Sequence, residues 1–399
     1  MVAVTHIAWL GKKTPFCGNV TYGLSTTEAL RARGHQTSFI HFDNPKAPGS
    51  GTSLLANDPD VSLPYLVKSQ VYTIPSPGAQ RELRESLERL QPDLVHASLT
   101  LSPLDFRLPE LCQQLGVPLV ATFHPPFDAS LRNLTAGTQQ LTYQLYAPAL
   151  SKYDRVIVFS DLQAEFLARL GVREDRLAVI PNGVDTNQWY PTAPQKESGI
   201  APAKGTGTAV HQVRSRLGPE RVFLYLGRIA TEKNVEALLQ AWRLVNMDGC
   251  RLVIVGEGPL RSTLQNSYDE DVFWWGYESD LATRIALLQC AEVFILPSLV
   301  EGLSLALLEA MASGCACVAT DAGADGEVLT GGAGIVMSTL GVTSQLRTLL
   351  PVLRDQPVLT GELGRQARQR VLQRYTMSRN IDSLERLYGE LIRRAPLAA

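Results

Sequence analysis

The sequence predicts an α/β protein with two domains, each built around a doubly wound parallel sheet. Three observations indicate this fold class. The 399 residues suffice for two domains of ordinary size. Hydrophobic residues make up 45% of the chain and charged residues 19%, enough to supply two cores. Both halves repeat the order strand, glycine-bearing loop, helix, strand, which is the pattern of parallel sheets with helical crossovers.

The first domain is predicted over residues 1–190, where short apolar segments alternate with helical ones. A loop at 11–20 follows the first strand, and a helix at 21–33 follows the loop. The loop contains Gly-Lys-Lys-Thr, but a phosphate-binding P-loop would need a glycine where His6 stands, so we reject that motif. The predicted strands of this domain are 2–10, 36–42, 93–97, 118–124 and 155–160, and residues 177–185 close the first half.

The second domain is predicted over residues 219–376, and residues 377–399 are predicted as a C-terminal helix. The helical pattern that leads into it is continuous over 365–394. Residues 191–218 are rich in Pro, Gly, Ser, Thr and Ala, which favours a flexible linker or insertion. The glycines at 256 and 258 suggest a dinucleotide fingerprint, yet Arg261 takes the third glycine position, which argues against a nicotinamide dehydrogenase. The predicted strands are 221–226, 251–255, 272–277, 293–296 and 316–320.

Residues 295–314 are the most informative stretch. A short apolar strand leads into a turn, and a helical run follows that stops at Gly314. Glu301 lies before the helix and Glu309 lies within it. The amides of residues 302–304 are expected to be unpaired donors at the helix N-terminus, where anions bind readily. The alternative is that Glu301 caps the helix and Glu309 is a solvated helix residue.

Two further segments carry candidate binding residues. Arg228 and Lys233 lie in one strand-to-helix loop, where two cations beside a helix N-terminus would bind an anion strongly. His124 ends a predicted strand and opens onto a Pro-Pro-Phe loop. The alternatives are a solvated basic loop in the first case and a histidine satisfied by backbone groups in the second.

The two glutamates, between a Pro-Ser turn and the run Leu-Glu-Ala-Met-Ala-Ser-Gly, resemble the Glu-x7-Glu signature of the family-four retaining glycosyltransferases. This resemblance implies the GT-B fold, with two Rossmann-like domains facing a cleft. Residues 1–190 would bind the acceptor and residues 219–376 the donor. The helix at 377–399 would cross back to the first domain. The Pro-Asn-Gly-Val-Asp turn at 181–185 also matches the family.

The resemblance also implies a role for each candidate residue. Glu301 would contact the donor sugar hydroxyls, Glu309 the ribose, and the loop cations together with the helix amides the diphosphate. His124 would lie at the hexose and the reaction centre, and no metal or other cofactor is expected. The implied catalytic residues are His124, Arg228, Lys233 and Glu301. The implied donor-binding residues are Gly18, Arg228, Lys233, Gly276, Tyr277, Glu301, Gly302, Leu303, Ser304 and Glu309.

The acceptor is suggested by residues 9–20, which are similar to those of cyanobacterial digalactosyldiacylglycerol synthases. That similarity implies UDP-galactose as donor and monogalactosyldiacylglycerol as acceptor, with the apolar, proline-rich segment 54–77 as a surface that touches lipid. A soluble sugar acceptor and a non-catalytic nucleotide-sugar binding protein are the alternatives.

The composition bounds the partners and the compartment of the protein. A formal net charge of -2 gives no sign of the excess of basic residues that is typical of nucleic-acid-binding proteins. The six cysteines have no metal-binding or disulfide-framework spacing, which favours reduced thiols. No run of eighteen apolar residues and no signal-peptide pattern occurs. We therefore expect a cytoplasmic protein, with peripheral association with a membrane if the acceptor is a lipid.

Overall fold

A computed structural model describes residues 4–14, 17–43, 60–69, 72–127, 134–192, 206–268 and 272–394. It confirms the predicted fold class, since the chain forms two α/β units with a parallel sheet in each. The first unit comprises residues 1–125, 141–182 and 377–399, and the second comprises residues 126–140 and 183–376. Among the described residues, no helix is long and apolar enough to cross a membrane.

The first unit is organised around a seven-stranded sheet in the order β3-β2-β1-β6-β7-β8-β9, with β4 and β5 forming a separate antiparallel hairpin. Its strands are β1 (His6–Gly11), β2 (Gln36–Phe42), β3 (Asp60–Leu63), β4 (Tyr65–Lys68), β5 (Thr73–Pro75), β6 (Leu94–Ser98), β7 (Leu119–Thr122), β8 (Arg155–Val158) and β9 (Leu177–Val179). The helices of the first half of the chain are α1 (Gly18–Ala32), α2 (Ala79–Leu90), α3 (Leu108–Leu115), α4 (Leu134–Leu150) and α5 (Asp161–Arg169).

The second unit has a six-stranded sheet in the order β12-β11-β10-β13-β14-β15. Its strands are β10 (Arg221–Leu226), β11 (Cys250–Val255), β12 (Phe273–Gly276), β13 (Ala291–Leu296), β14 (Ala316–Thr320) and β15 (Ile335–Met337). The remaining helices are α6 (Thr206–Leu217), α7 (Val235–Arg243), α8 (Arg261–Tyr268), α9 (Leu281–Cys290), α10 (Leu305–Ala312), α11 (Asp325–Leu329), α12 (Val342–Asp355), α13 (Pro357–Arg374) and, in the first unit, α14 (Met377–Arg394).

Each sheet reverses its strand order beside its first strand. In the first unit β1 lies between β2 and β6, and in the second β10 lies between β11 and β13, with all these pairs parallel. Ligands of doubly wound sheets bind outside the carboxyl ends of the strands at this reversal. The loops after β10 and β13 carry the predicted cations and Glu301, so the topology brings them to one edge.

Two predictions about helices need correction. The segment 191–218, predicted as a flexible linker or insertion, contains α6, because Val213 and Leu217 at helical spacing are buried where α6 packs against α9. Residues 193–205 of this segment lie outside the described residues. The continuous helix predicted over 365–394 is interrupted at Tyr375 and Thr376. There the carbonyl of Tyr375 accepts a hydrogen bond from the amide of Val184 instead of continuing the helical pattern.

Candidate functional site

The loop after β10 is tied to the loop after β13 by two hydrogen bonds. The amide of Leu299 donates to the carbonyl of Glu232 over 2.8 Å. Asn234, which has a left-handed backbone at φ 51°, donates from Nδ2 to the carbonyl of Pro297 over 3.2 Å. The hydroxyl of Tyr225 holds the first loop from beneath by donating to the carbonyl of Arg228 over 2.7 Å. These bonds fix the backbone on which the charged side chains stand.

Lys233 and Glu301 meet at this edge of the second sheet. Lys233 Nζ lies 2.5 Å from Glu301 Oε1, and Ser298 Oγ donates to the same oxygen over 2.7 Å. Glu301 is buried, so its charge is balanced by a lysine that is itself mostly covered. The solvated-loop alternative is therefore wrong for Lys233. A buried carboxylate with a cation and a hydroxyl around one oxygen keeps its second oxygen for other hydrogen bonds.

Arg228 behaves differently from Lys233. Its side chain is 43% exposed and forms an ion pair with Glu232 over 3.2 Å, four residues along the chain. Exposed pairs of this kind contribute little to stability, about 0–1 kcal/mol. The arginine can therefore leave Glu232 for an anionic ligand at small cost.

The helix that follows Glu301 begins later than predicted. Ser304 is the residue that caps α10, since its Oγ accepts a hydrogen bond from the amide of Leu307. Glu301 is thus not the cap. The amide of Ser304 donates to Asp325 Oδ1 over 2.8 Å, so the expectation of an unpaired donor at that residue is wrong. Helix geometry leaves the first four amides of α10 without intrahelical partners. Since those of Ser304 and Leu307 bond to side chains, the amides of Leu305 and Ala306 are the ones left for an anion.

Asp325 is a site residue that the sequence did not reveal. It is buried, and burial raises the pKa of its carboxyl well above the usual range, with the charge of Glu301 adding to the rise. It reaches this place because Gly323 packs on the loop of Glu301, where a Cβ atom would lie 2.1 Å from the carbonyl oxygen of Glu301. The only signal in the sequence was an acidic residue in a glycine loop.

Glu309 is buried inside α10, with only 5% of its surface exposed, which rules out the solvated alternative. Its carboxylate pairs with Arg284 of α9 over 3.1 Å, and Arg284 also lies over the ring of Trp189. Burial raises the pKa of Glu309 to about 7, and the charge of Arg284 opposes the rise. Sequence reasoning missed this arginine, because neither helix shows which residue of the other it faces. The role of Glu309 towards ribose stays a prediction.

Gly276 and Tyr277 lie at the end of β12, as expected from the sequence. Gly276 has φ 98°, its carbonyl accepts from the amide of Gly256, and Tyr277 is exposed. The glycines at 256 and 258 are explained by packing. A Cβ atom on Gly256 would lie 1.9 Å from the carbonyl oxygen of Gly227, and one on Gly258 would lie 2.2 Å from that of Ile229.

His124 lies in the first unit, two residues beyond β7. Its Nε2 is 2.8 Å from Ser98 Oγ, so its partner is a side chain and the backbone-satisfied alternative is wrong. Burial, together with the charge of Lys12, lowers the pKa of His124 to about 3. Gly18 is the first residue of α1, and a Cβ atom there would meet nothing within 4 Å.

Comparison with known proteins identifies the family. A family profile described as Glycosyltransferase Family 4 matches residues 18–188, and one described as Glycosyl transferases group 1 matches residues 220–351. The chain belongs to the family-four glycosyltransferases. This glycosyltransferase takes a sugar from a nucleotide-sugar donor.

The relatives differ in the acceptors that their names give. The chain is 23% identical to the UDP-Gal:alpha-D-GlcNAc-diphosphoundecaprenol alpha-1,3-galactosyltransferase of Escherichia coli, over 78% of each chain. It is 26% identical to the alpha-monoglucosyldiacylglycerol synthase of Streptococcus pneumoniae, over 59% of this glycosyltransferase and 53% of that relative. The structure of Anabaena Alr3699/HepE in complex with UDP-glucose matches with a TM-score of 0.75 at 17% identity, over 96% of this chain and all of that one. The structural match confirms the GT-B fold.

Proposed function

We propose that this glycosyltransferase moves a hexose from a UDP-sugar to a hydroxyl group of a membrane glycolipid, with retention of the anomeric configuration. The pairing of Lys233 with Glu301 at the reversal point of the second sheet carries the proposal. This pair places a cation next to a carboxylate. A ligand with both phosphate and hydroxyl groups needs such a pair, the cation for its phosphate and the carboxylate for its hydroxyls. Galactose is the proposed hexose, and monogalactosyldiacylglycerol is the proposed acceptor.

Binding of the donor follows from the charges around this pair. Lys233 and Arg228 attract the diphosphate, because hydrogen bonds between charged partners are about twice as strong as neutral ones. The first-turn amides of α10 add donors for the same anion. The second oxygen of Glu301 accepts hydrogen bonds from hexose hydroxyls. Glu309, held by Arg284, accepts from the ribose diol, and Gly276 and Tyr277 lie beside the base.

The chemistry needs no nucleophile from the protein. The bond between the anomeric carbon and the diphosphate oxygen breaks, and the acceptor oxygen attacks the same face of the sugar. The departing phosphate oxygen takes the proton of the acceptor hydroxyl. Negative charge then grows on the diphosphate, where Lys233 and Arg228 stabilise it, the kind of preorganised electrostatics that lowers many barriers. This cationic loop takes the place of a metal ion, so EDTA should leave the rate unchanged.

An exposed apolar hairpin supports the choice of a lipid acceptor. Leu66 of β4 is 65% exposed, and Val67 of β4, Ile74 of β5 and Tyr72 just before β5 also expose much of their surface. Soluble proteins rarely expose clustered apolar side chains without a partner. Residues 54–59 and 70–71 of the predicted lipid-contact segment lie outside the described residues. The names of two relatives contain lipids, a diphosphoundecaprenol and a monoglucosyldiacylglycerol.

The decisive experiment incubates the protein with a panel of UDP-sugars and vesicles made from a galactolipid-containing membrane extract, and follows both UDP release and new lipids by mass spectrometry. We expect one hexose to be added to monogalactosyldiacylglycerol from UDP-galactose. Transfer only to added soluble sugars would replace the lipid acceptor. Tight UDP binding without turnover on any acceptor would make the protein a nucleotide-sugar binding module.

The hairpin can be tested separately with a matched pair of variants. Leu66→Asp should lower the rate on acceptor in vesicles and leave the rate on short-chain, water-soluble glycolipid unchanged. Val358→Asp is the control, since Val358 is 85% exposed in α13 of the second unit. Equal losses in both variants, or equal losses on both forms of the acceptor, would remove the hairpin from the lipid-binding surface.

A further inference from the structure

Three side chains at the reversal point of the first sheet form a continuous chain of hydrogen bonds. Asn19 of α1 donates from Nδ2 to the carbonyl of Leu99 over 3.0 Å. The hydroxyl of Ser98, the last residue of β6, donates to Asn19 Oδ1 over 2.9 Å. Ser98 Oγ lies 2.8 Å from His124 Nε2. The chain therefore runs from a fixed backbone carbonyl to the imidazole ring.

The direction of every bond in this chain follows from its first link. A carbonyl oxygen only accepts, so the Leu99 carbonyl must face the NH2 group of Asn19 and not its oxygen. That choice turns Oδ1 of Asn19 towards Ser98, where it too can only accept. Ser98 has a single hydroxyl hydrogen, which it donates to Asn19 Oδ1. Its oxygen is then an acceptor for His124, and His124 Nε2 must carry the hydrogen.

The protonation state of the ring is fixed by what surrounds it. The ring of Tyr22 lies edge-on at 5.0 Å between centroids, and the ring of Phe159 lies at 5.3 Å, so two apolar surfaces flank the imidazole. The cation of Lys12 disfavours a second positive charge, and burial lowers the pKa of His124 to about 3. With Nε2 protonated and the ring neutral, Nδ1 carries a lone pair. Among the described residues the structure gives Nδ1 no hydrogen-bond partner.

We propose that Ser98 and Asn19 are positioning residues that hold His124 in the Nε2–H tautomer, so that Nδ1 accepts a hydrogen bond from a substrate hydroxyl. The assignment of the tautomer depends only on the hydrogen-bond chain. The hydroxyl recognition rests on the proposed function. His124 acts in this scheme as a neutral acceptor, not as a general acid or as a cation for phosphate. The site would bind a sugar with a hydroxyl at this position better than the deoxy analogue.

The tautomer can be measured without any substrate. In protein labelled with nitrogen-15, the imidazole nitrogen shifts and their couplings to ring protons tell which nitrogen is protonated, and the His124 signals are assigned by their loss in His124→Gln. At neutral pH we expect Nε2 protonated and Nδ1 bare. In Asn19→Leu the Ser98 hydroxyl is released and can donate to the ring, so both tautomers should appear. A protonated Nδ1 in the wild type, or an unchanged spectrum in Asn19→Leu, would overturn the proposal.

Kinetics then test the positioning role. Ser98→Ala should lower the turnover number about tenfold with little change in the KM for the donor, since one orienting hydrogen bond is lost. Ser98→Thr keeps the hydroxyl and should restore most of the rate. Ser25→Ala on α1 is the control, because that hydroxyl donates only to the backbone of its own helix. An unchanged rate in Ser98→Ala refutes the positioning role, whereas a wild-type protein with the expected tautomer and no turnover refutes the proposed function instead.

Discussion

The two sheets of this glycosyltransferase share one topology and carry different chemistry at the same place. At the reversal point of the second sheet, charged groups are paired: Lys233 with Glu301, and on the neighbouring helices Arg284 with Glu309. At the reversal point of the first sheet, Asn19, Ser98 and His124 form a neutral hydrogen-bond chain. The fold thus supplies a location, and the side chains decide whether that location suits an anion or a neutral hydroxyl.

The largest expected effect comes from breaking the charged pair of the second sheet. Lys233→Ala removes a cation from the leaving diphosphate and should lower the turnover number about 10²–10³-fold. The same change leaves Glu301 buried without its partner, which is also destabilising.

The double variant Lys233→Ala/Glu301→Gln separates these two effects. It should regain thermal stability relative to Lys233→Ala, measured by the midpoint of unfolding, and should stay catalytically impaired. Recovery of activity in the double variant would mean that Lys233 serves only to neutralise Glu301. The charged pair of the second sheet would then contribute to stability and not to ligand binding.

The second prediction uses pH to test the other charged pair. Burial raises the pKa of Glu309 to about 7 in the folded protein, from an ordinary value of 4.5. Between these two values the folded state binds a proton that the unfolded state has released, so this group makes the free energy of unfolding fall as pH rises. A shift of this size corresponds to about 3 kcal/mol at most.

Glu309→Gln should abolish this contribution while keeping the shape of the side chain. The measurement is urea unfolding from pH 4.5 to 7.5, reported as the difference between wild type and variant, because Asp105 and Asp325 also have raised pKa values. A difference that is flat with pH would mean that Arg284 keeps Glu309 ionised throughout. The same variant should bind UDP more weakly if Glu309 accepts hydrogen bonds from ribose.

Substitution of Arg228 should have a smaller effect on turnover, and this effect is easier to separate from an effect on stability. Because its pair with Glu232 is exposed, Arg228→Ala should change the free energy of unfolding by less than about 1 kcal/mol. Loss of one cation at the diphosphate should lower turnover about tenfold, or about 1.4 kcal/mol. Arg228→Lys should keep part of the rate, measured as UDP release. Lost stability without lost turnover would assign Arg228 a purely structural role.

The differences between prediction and structure show which information lay in the sequence. The strands Gln36–Phe42, Arg221–Leu226 and Ala316–Thr320 have the bounds predicted. The second and third are almost wholly apolar, as expected of strands that are buried on both faces. The pairing of Lys233 with Glu301 was foreseeable in outline, since both follow neighbouring parallel strands. These features depend on local pattern and on topology.

Other features depend on contacts between distant segments. The amide of Ser304 donates to Asp325, which is 21 residues away in the sequence. Glu309 pairs with Arg284, which is 25 residues away. The helix break at Tyr375 depends on Val184, nearly two hundred residues away. Neither local propensity nor hydrophobic periodicity records such partners, so a sequence without aligned relatives could not predict them.

The smallest expected effect tests whether the first sheet takes any part in binding the anion. Gly18 begins α1 and a Cβ atom there meets nothing within 4 Å, so Gly18→Ala should leave the free energy of unfolding unchanged or raise it by up to about 1 kcal/mol. If the donor phosphates approach this backbone, the added methyl group should raise the KM for the UDP-sugar about threefold and leave the turnover number nearly unchanged. Gly34→Ala is the matched control: Gly34 follows the same helix at φ 93°, so its substitution costs stability without touching a predicted ligand. An unchanged KM in Gly18→Ala would mean that only the second sheet recognises the diphosphate. The first sheet would then contribute only its neutral hydrogen-bonding groups.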